Sequence, residues 1–146
     1  MKIISFEVNQ QVGKKIEKNF WSKILKKIQK ELKINTSGQI SLAIVSGPEI
    51  KKLNLAYRGK NKVTDVLSFS EIKIKDKKFD SKAGQYWGEI IICYPQAQKQ
   101  AKENKKTLKQ ELELLFVHGL LHLLGYDHEK KNEEKKMRSL EQKIVG

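Results

Sequence analysis

Apolar residues along this chain recur at two different periods, and the alternation between them lays out its elements. Residues 2 to 8 read as a short strand. From 14 to 34, Ile16, Phe20, Ile24 and Ile28 return at every fourth position with Trp21, Leu25 and Leu32 alongside, the stripe of a helix that buries one face. Residues 39 to 46 alternate and are rich in β-formers. Ser46-Gly47-Pro48-Glu49 then combines a capping box with a proline in the first turn, which opens a helix running to about Arg58. Gly59 to Lys62 is a turn, residues 64 to 74 and 85 to 93 read as two further strands, and the polar Lys75 to Gly84 segment between them is an exposed loop. Pro95 marks another helix start, and Thr107 to Gln110 is a second capping box. The helix opened there is apolar on nearly all sides from Leu112 to Leu124, as befits a helix in the centre of a small domain, and Gly125 ends it. Glu129 to Val145 is a charged helix with Met137, Leu140 and Ile144 as its inward face.

This order predicts an α+β (mixed α/β) fold: a small mixed sheet of about four strands packed with about five helices, the Leu112–Leu124 helix central. No repeat, linker or low-complexity tract divides the 146 residues, so the expectation is one domain over 1–146. Strand order does not follow from the sequence.

Composition narrows the function classes. The single cysteine, Cys93, lies in the apolar run Ile90 to Cys93 and is expected in the core rather than in a disulfide or a reactive site. Charge interrupts the N-terminus too soon for a signal-peptide apolar region, and no stretch approaches membrane-spanning length, so a cytoplasmic protein with no membrane partner is expected. The formal charge of +13 favours capture of a polyanion, although a lysine-rich solvated surface accounts for it equally well, since only Arg58 and Arg138 among the 30 basic residues are arginine. The 14–34 helix carries eight lysines against two glutamates, so its outer face is strongly positive.

All three histidines fall within the eleven residues from His118 to His128. His118 and His122 are one helical turn apart, about 400° of rotation, so both rings leave the same face and can converge on one ion. Gly125 can adopt the left-handed conformation that turns the chain back and brings His128 to the open side. Three imidazoles with a free fourth position make the ligand set of a catalytic zinc site, so one Zn²⁺ on His118, His122 and His128 is expected. The spacing H-x3-H-x2-G-x2-H is also that of the metzincin peptidases, but those carry a glutamate base directly after the first histidine, where this chain has Gly119.

The segment His118 to His128 resembles the signature of the YbeY family of bacterial rRNA maturation endoribonucleases, H-G-x-L-H-L-x-G-Y-D-H, at every fixed position. Leu53-Asn54, Tyr57-Arg58-Gly59 and Thr64 to Phe69 are similar to a second block of that family in the same order. The chain departs from it at Ser70, where proline is common, and at Glu89, where aspartate is. The resemblance implies a zinc-dependent, single-strand-selective endoribonuclease that matures ribosomal RNA, notably the small-subunit 3′ end, and acts in ribosome quality control. It further implies ribosomal RNA and the small subunit as partners, a metal at the base of a basic cleft, and a functional arginine at Arg58.

The chemistry is consistent with that implication. Zinc acidifies a bound water to a pKa of about 7 and polarises a phosphoryl oxygen; whether that water or the RNA 2′-hydroxyl attacks stays open. A guanidinium can bond two nonbridging oxygens at once, and Arg58, four residues after Asn54, shares a helix face with it directed at the cleft. Asp65 is a candidate to accept a proton or orient Arg58, with a turn or strand-start role as the alternative. Asp127 is a candidate to fix a ligand imidazole, with N-cap of the last helix as the alternative. A metzincin-like peptidase and a non-catalytic ribosome-associated protein with structural zinc are the competing functional readings.

Overall fold

In the computed structural model the described residues are 4–71, 85–126 and 131–145. The elements run β1 (Ile4–Gln10), α1 (Lys18–Glu31), β2 (Gly38–Val45), α2 (Gly47–Arg58), β3 (Val66–Ser70), β4 (Gln85–Cys93), α3 (Tyr94–Glu103), α4 (Leu108–Leu123) and α5 (Lys131–Val145). The four strands form one mixed sheet in the order β1-β2-β4-β3. β1, β2 and β4 are mutually parallel, and β3 runs antiparallel to β4 at one side. The α+β class, the four strands and the five helices are those the sequence predicts.

Alternation along the strands divides the core between two layers. Ile40, Leu42 and Ile44 of β2 and Ile90 and Ile92 of β4 join Trp21, Ile24, Ile28, Leu112, Phe116, Leu120 and Leu121 in the larger core. On the opposite face, Val45, Leu67, Ile91 and Cys93 pack beneath Ile50 of α2. α4 is the central helix: Leu112, Phe116, Val117, Leu120 and Leu121 have no accessible surface, and burial of such side chains contributes about 1.5–3 kcal/mol each. It packs on β3, β4, α1, α3 and α5. Trp21 of α1 meets Phe116 edge to face, with ring centroids 5.1 Å apart.

Both N-caps are in place where their residues call for them, the second as a full capping box and the first through the serine half alone. Ser46 Oγ accepts from Glu49 N at 3.3 Å, and Thr107 and Gln110 cap one another reciprocally at 3.1 and 2.9 Å. The first helix is shorter than its apolar stripe. Gln10 holds residues 12 to 16 as a loop, its Nε2 donating to the carbonyls of Val12 (3.0 Å) and Lys14 (2.7 Å) while its Oε1 accepts from Ile16 N (2.9 Å). Helical turns therefore start only at Lys18, although Ile16 still packs on the core. β3 spans Val66–Ser70, within the strand expected over 64–74, and residues 72–74 together with the whole expected 75–84 loop lie outside the described residues. Among the described residues, no helix is long and apolar enough to cross a membrane.

Candidate functional site

A cleft opens beside β3, between the C-terminal ends of α2 and α4. Asn54, Arg58, Lys60 and Lys62 line it from α2 and the following turn, Thr64, Asp65 and Ser68 from the strand and its approach, and His118, His122, Gly125 and Tyr126 from α4 and its end. Two of the three histidines and the first arginine, remote in sequence, thus face one space.

The histidine side is built by the most buried helix. His118 and His122 project from one face of α4, ring centroids 4.8 Å apart and ring planes at 71°. Nδ1 of His118 lies 2.7 Å from Oε1 of Glu141 on α5. A carboxylate there fixes the ring's orientation and directs Nε2 elsewhere, the arrangement found behind metal-ligating histidines. At the helix end, Gly125 adopts φ 96°, Gly125 N donates to His122 O and Tyr126 N to Leu121 O, both at 3.0 Å. These are the paired bonds of a Schellman motif, which turns the chain sharply after the second histidine. His128 and Asp127, the expected third ligand and its expected helper, lie outside the described residues. Among the described residues no group of three histidine, cysteine or acidic side chains is disposed to hold a metal, so His118 and His122 are the donors in place.

Gly119, between the two histidines, faces the sheet instead of the cleft. A Cβ there would stand 2.8 Å from Cγ2 of Ile90. A glutamate at 119 would enter the core, so this helix has no room for the peptidase base at that position. Burial pushes the Cys93 thiol above its ordinary range; a backbone hydrogen bond from Gln96 opposes this and the charge of Asp65 adds to it. Cys93 is therefore a neutral core thiol.

The arginine side is organised by β3. Cys93 N donates to Asp65 O and Glu71 N to Trp87 O, so residues 65, 67, 69 and 71 bond to β4 while 66, 68 and 70 turn their main-chain groups outward. Asp65 Oδ1 takes the outward N–H of Val66 at 2.8 Å, and Arg58 donates through one terminal nitrogen to the outward carbonyl of Ser68 at 2.7 Å. The guanidinium also lies over Phe69, Cζ 5.3 Å from the ring centroid. Asn54, only 3% exposed, donates to Lys62 O at 3.0 Å and so fastens the turn that carries Lys60 and Lys62 to the cleft.

Asp65 has a second tie. Gln100 Nε2 donates both to Asp65 Oδ2 at 3.2 Å and to Oε1 of the buried Glu111 at 3.0 Å, joining two carboxylates through one amide. Both oxygens of Asp65 are thereby engaged. Ser70 Oγ donates to Leu123 O at 3.3 Å and ties β3 to the last turn of α4, a contact that a proline at this position would not make. Burial pushes the carboxyl of Glu89, the other departure, upward.

Glu141, Gln100 and Glu111 are absent from the sequence-based candidates. A signal existed for two of them: Glu141 falls at the inward spacing of Met137 and Ile144, and Glu111 is an acid in a helix that is otherwise apolar inward. Nothing local points to Gln100.

A mixed-sheet α+β domain in which a His-x3-His helix and an arginine-bearing helix face one cationic cleft defines a narrow class of protein. The family model described as Endoribonuclease YbeY matches residues 3–146, and the chain belongs to that family. It is similar to the Endoribonuclease YbeY of Sulfurihydrogenibium sp. (strain YO3AOP1), 41% identical over 139 residues that cover 94% of this chain and 88% of the relative. The Endoribonuclease YbeY of Listeria monocytogenes serotype 4a (strain HCC23) is 38% identical, covering 88% of this chain and 84% of its own. Among solved structures, the solution structure of TM1509 from Thermotoga maritima superposes with a TM-score of 0.61 at 28% identity, covering 97% of this chain and 89% of that one.

Proposed function

We propose that this protein is a zinc-dependent, single-strand-selective endoribonuclease of the cytoplasm, one domain over 1–146, that matures ribosomal RNA at the small-subunit 3′ end and serves ribosome quality control. One observation carries this reading: His118 and His122 face the same cleft as Arg58, Lys60 and Lys62. The donor set suits the metal, since two imidazoles project together from one helix face and Glu141 orients the His118 ring through Nδ1. His118, His122 and His128 would hold one Zn²⁺, which supplies a Lewis acid for a phosphoryl oxygen and lowers the pKa of water.

The chain's own residues do the rest. Lys60 and Lys62 offset the charge of the entering phosphates. Arg58 uses one nitrogen on Ser68 O and has its remaining N–H groups for nonbridging oxygens, where negative charge grows in the transition state. Asp65, held through both oxygens, shapes the wall beside it. Asn54 keeps the lysine turn in place.

The test is zinc content measured together with cleavage of single-stranded ribosomal RNA fragments. His118→Ala is expected to lose zinc, whereas Arg58→Glu keeps zinc and loses cleavage. Full nuclease activity in Arg58→Glu removes that residue from the chemistry, and RNA binding without cleavage by zinc-loaded wild-type protein replaces the enzyme with a binding protein.

A further inference from the structure

Tyr57 has no part in the chemistry above, yet it is 68% exposed, the most open of the large exposed apolar side chains described. An aromatic ring brings a large hydrophobic gain when buried, so one left open beside a functional cleft is a surface awaiting a partner. The ring is not loose. It leans on Phe69, centroids 5.2 Å apart and planes at 58°, and Phe69 is itself packed on the core beneath α2. The same Phe69 ring lies under the guanidinium of Arg58. One aromatic side chain thus fixes, on the last turn of a single helix, both the cation that faces the cleft and an open π-surface.

We propose that Tyr57, backed by Phe69, is a stacking shelf for one unpaired nucleobase of the RNA strand whose phosphates Arg58, Lys60 and Lys62 hold. This rests on the nuclease reading and names how its substrate is chosen. The occupant is a base rather than an apolar protein side chain because the cations nearest in sequence, Arg58, Lys60 and Lys62, line the adjoining cleft. Every base has a π-face, so the shelf is tolerant of sequence. It is intolerant of duplex, whose bases already stack on their own neighbours, and this gives single-strand selectivity a physical origin.

The experiment uses the zinc-loaded full chain and a fluorescent oligoadenylate, intact and with a single abasic ribose moved along it. Tyr57→Ala is expected to weaken binding of the intact strand about ten-fold, with the loss in KM more than kcat, and Tyr57→Phe to recover the affinity. At one abasic position wild-type protein should lose a similar factor, and there Tyr57→Ala should add nothing further. Circular dichroism of each variant establishes that the fold is kept. Equal affinity of wild-type and Tyr57→Ala protein for the intact strand overturns the shelf and leaves the surface to a protein partner, while cleavage by wild-type keeps the nuclease. Losses that simply add at every abasic position also overturn it. Failure of wild-type protein to bind or cut any single strand removes the nuclease reading and the shelf together.

Discussion

Replacing Gly119 with alanine sets two opposing effects against each other in the middle of the histidine helix. Propensity alone favours alanine inside a helix by about 1 kcal/mol. The new Cβ, however, would stand 2.8 Å from Ile90 Cγ2, with Ile90 Cγ1 and Val66 Cγ2 both at 3.4 Å. Carbon atoms at ease are ~3.5–4.0 Å apart, so the closest contact is short by roughly 0.7 Å or more. Ile90 is fully buried and β-branched, so it has little freedom to rotate away. Overpacking of this kind costs about 1–3 kcal/mol, which exceeds the propensity gain and leaves a net loss of about 1 kcal/mol. For a chain of this size that is a fall in Tm of about 2–4 °C. The assay is thermal and urea unfolding of wild type, Gly119→Ala, Ile90→Ala and the double variant. Ile90→Ala removes the methyl that the new Cβ meets, so the double variant should lose less than the sum of the singles. RNA cleavage should fall with Gly119→Ala as well, because any retreat of α4 carries His118 and His122 away from Arg58 on the β3 side of the cleft. A Gly119→Ala protein that melts above wild type would refute the close approach of helix and sheet on which the cleft's geometry depends.

Three other outcomes follow from the same contacts. Glu141→Ala should weaken zinc binding about 10–100-fold in competition with a chelator, and an unaltered affinity would mean that the contact with His118 Nδ1 has no bearing on the metal. Gln100→Leu takes the donor from Asp65 and from buried Glu111 at once and should cost about 1–3 kcal/mol of stability; an unmoved urea midpoint would show the amide bridge to be idle. Burial holds the Glu89 carboxyl above its ordinary value of 4.5 in the folded chain, so folding keeps that proton to higher pH, and stability falls as pH rises from that value through the raised one. Glu89→Gln should therefore match wild type in Tm near pH 4 and exceed it at pH 7; a variant that melts lower at pH 7 would contradict a burial penalty.

What could be read in the sequence was what short-range physics encodes. The four-residue recurrence from Ile16 to Ile28, the two capping boxes and the all-round apolarity of the Leu112–Leu124 segment each reappear as a helix. The His-x3-His spacing put two rings on one face, and Gly125 supplied the bend. What escaped depends on partners far apart in the chain. Glu141 is 23 residues from His118, and Gln100 reaches Asp65 across 35. The stripe beginning at Ile16 overestimated α1 because an apolar position can pack on the core from a loop, and the side chain of Gln10 makes that loop. Strand order and the antiparallel placement of β3 have no local signature at all.

That placement has a consequence for anyone who alters Arg58. Among the described residues β3 closes the sheet on its side, and the guanidinium is a latch over one of its outward carbonyls. Bare strand borders recruit strands from other molecules. A substitution at 58 that removes the side-chain donor, as Arg58→Glu does, unfastens the latch. Light scattering at rising protein concentration is therefore the companion control to any loss of cleavage: a clear solution assigns the loss to chemistry, a turbid one to molecules adhering along β3.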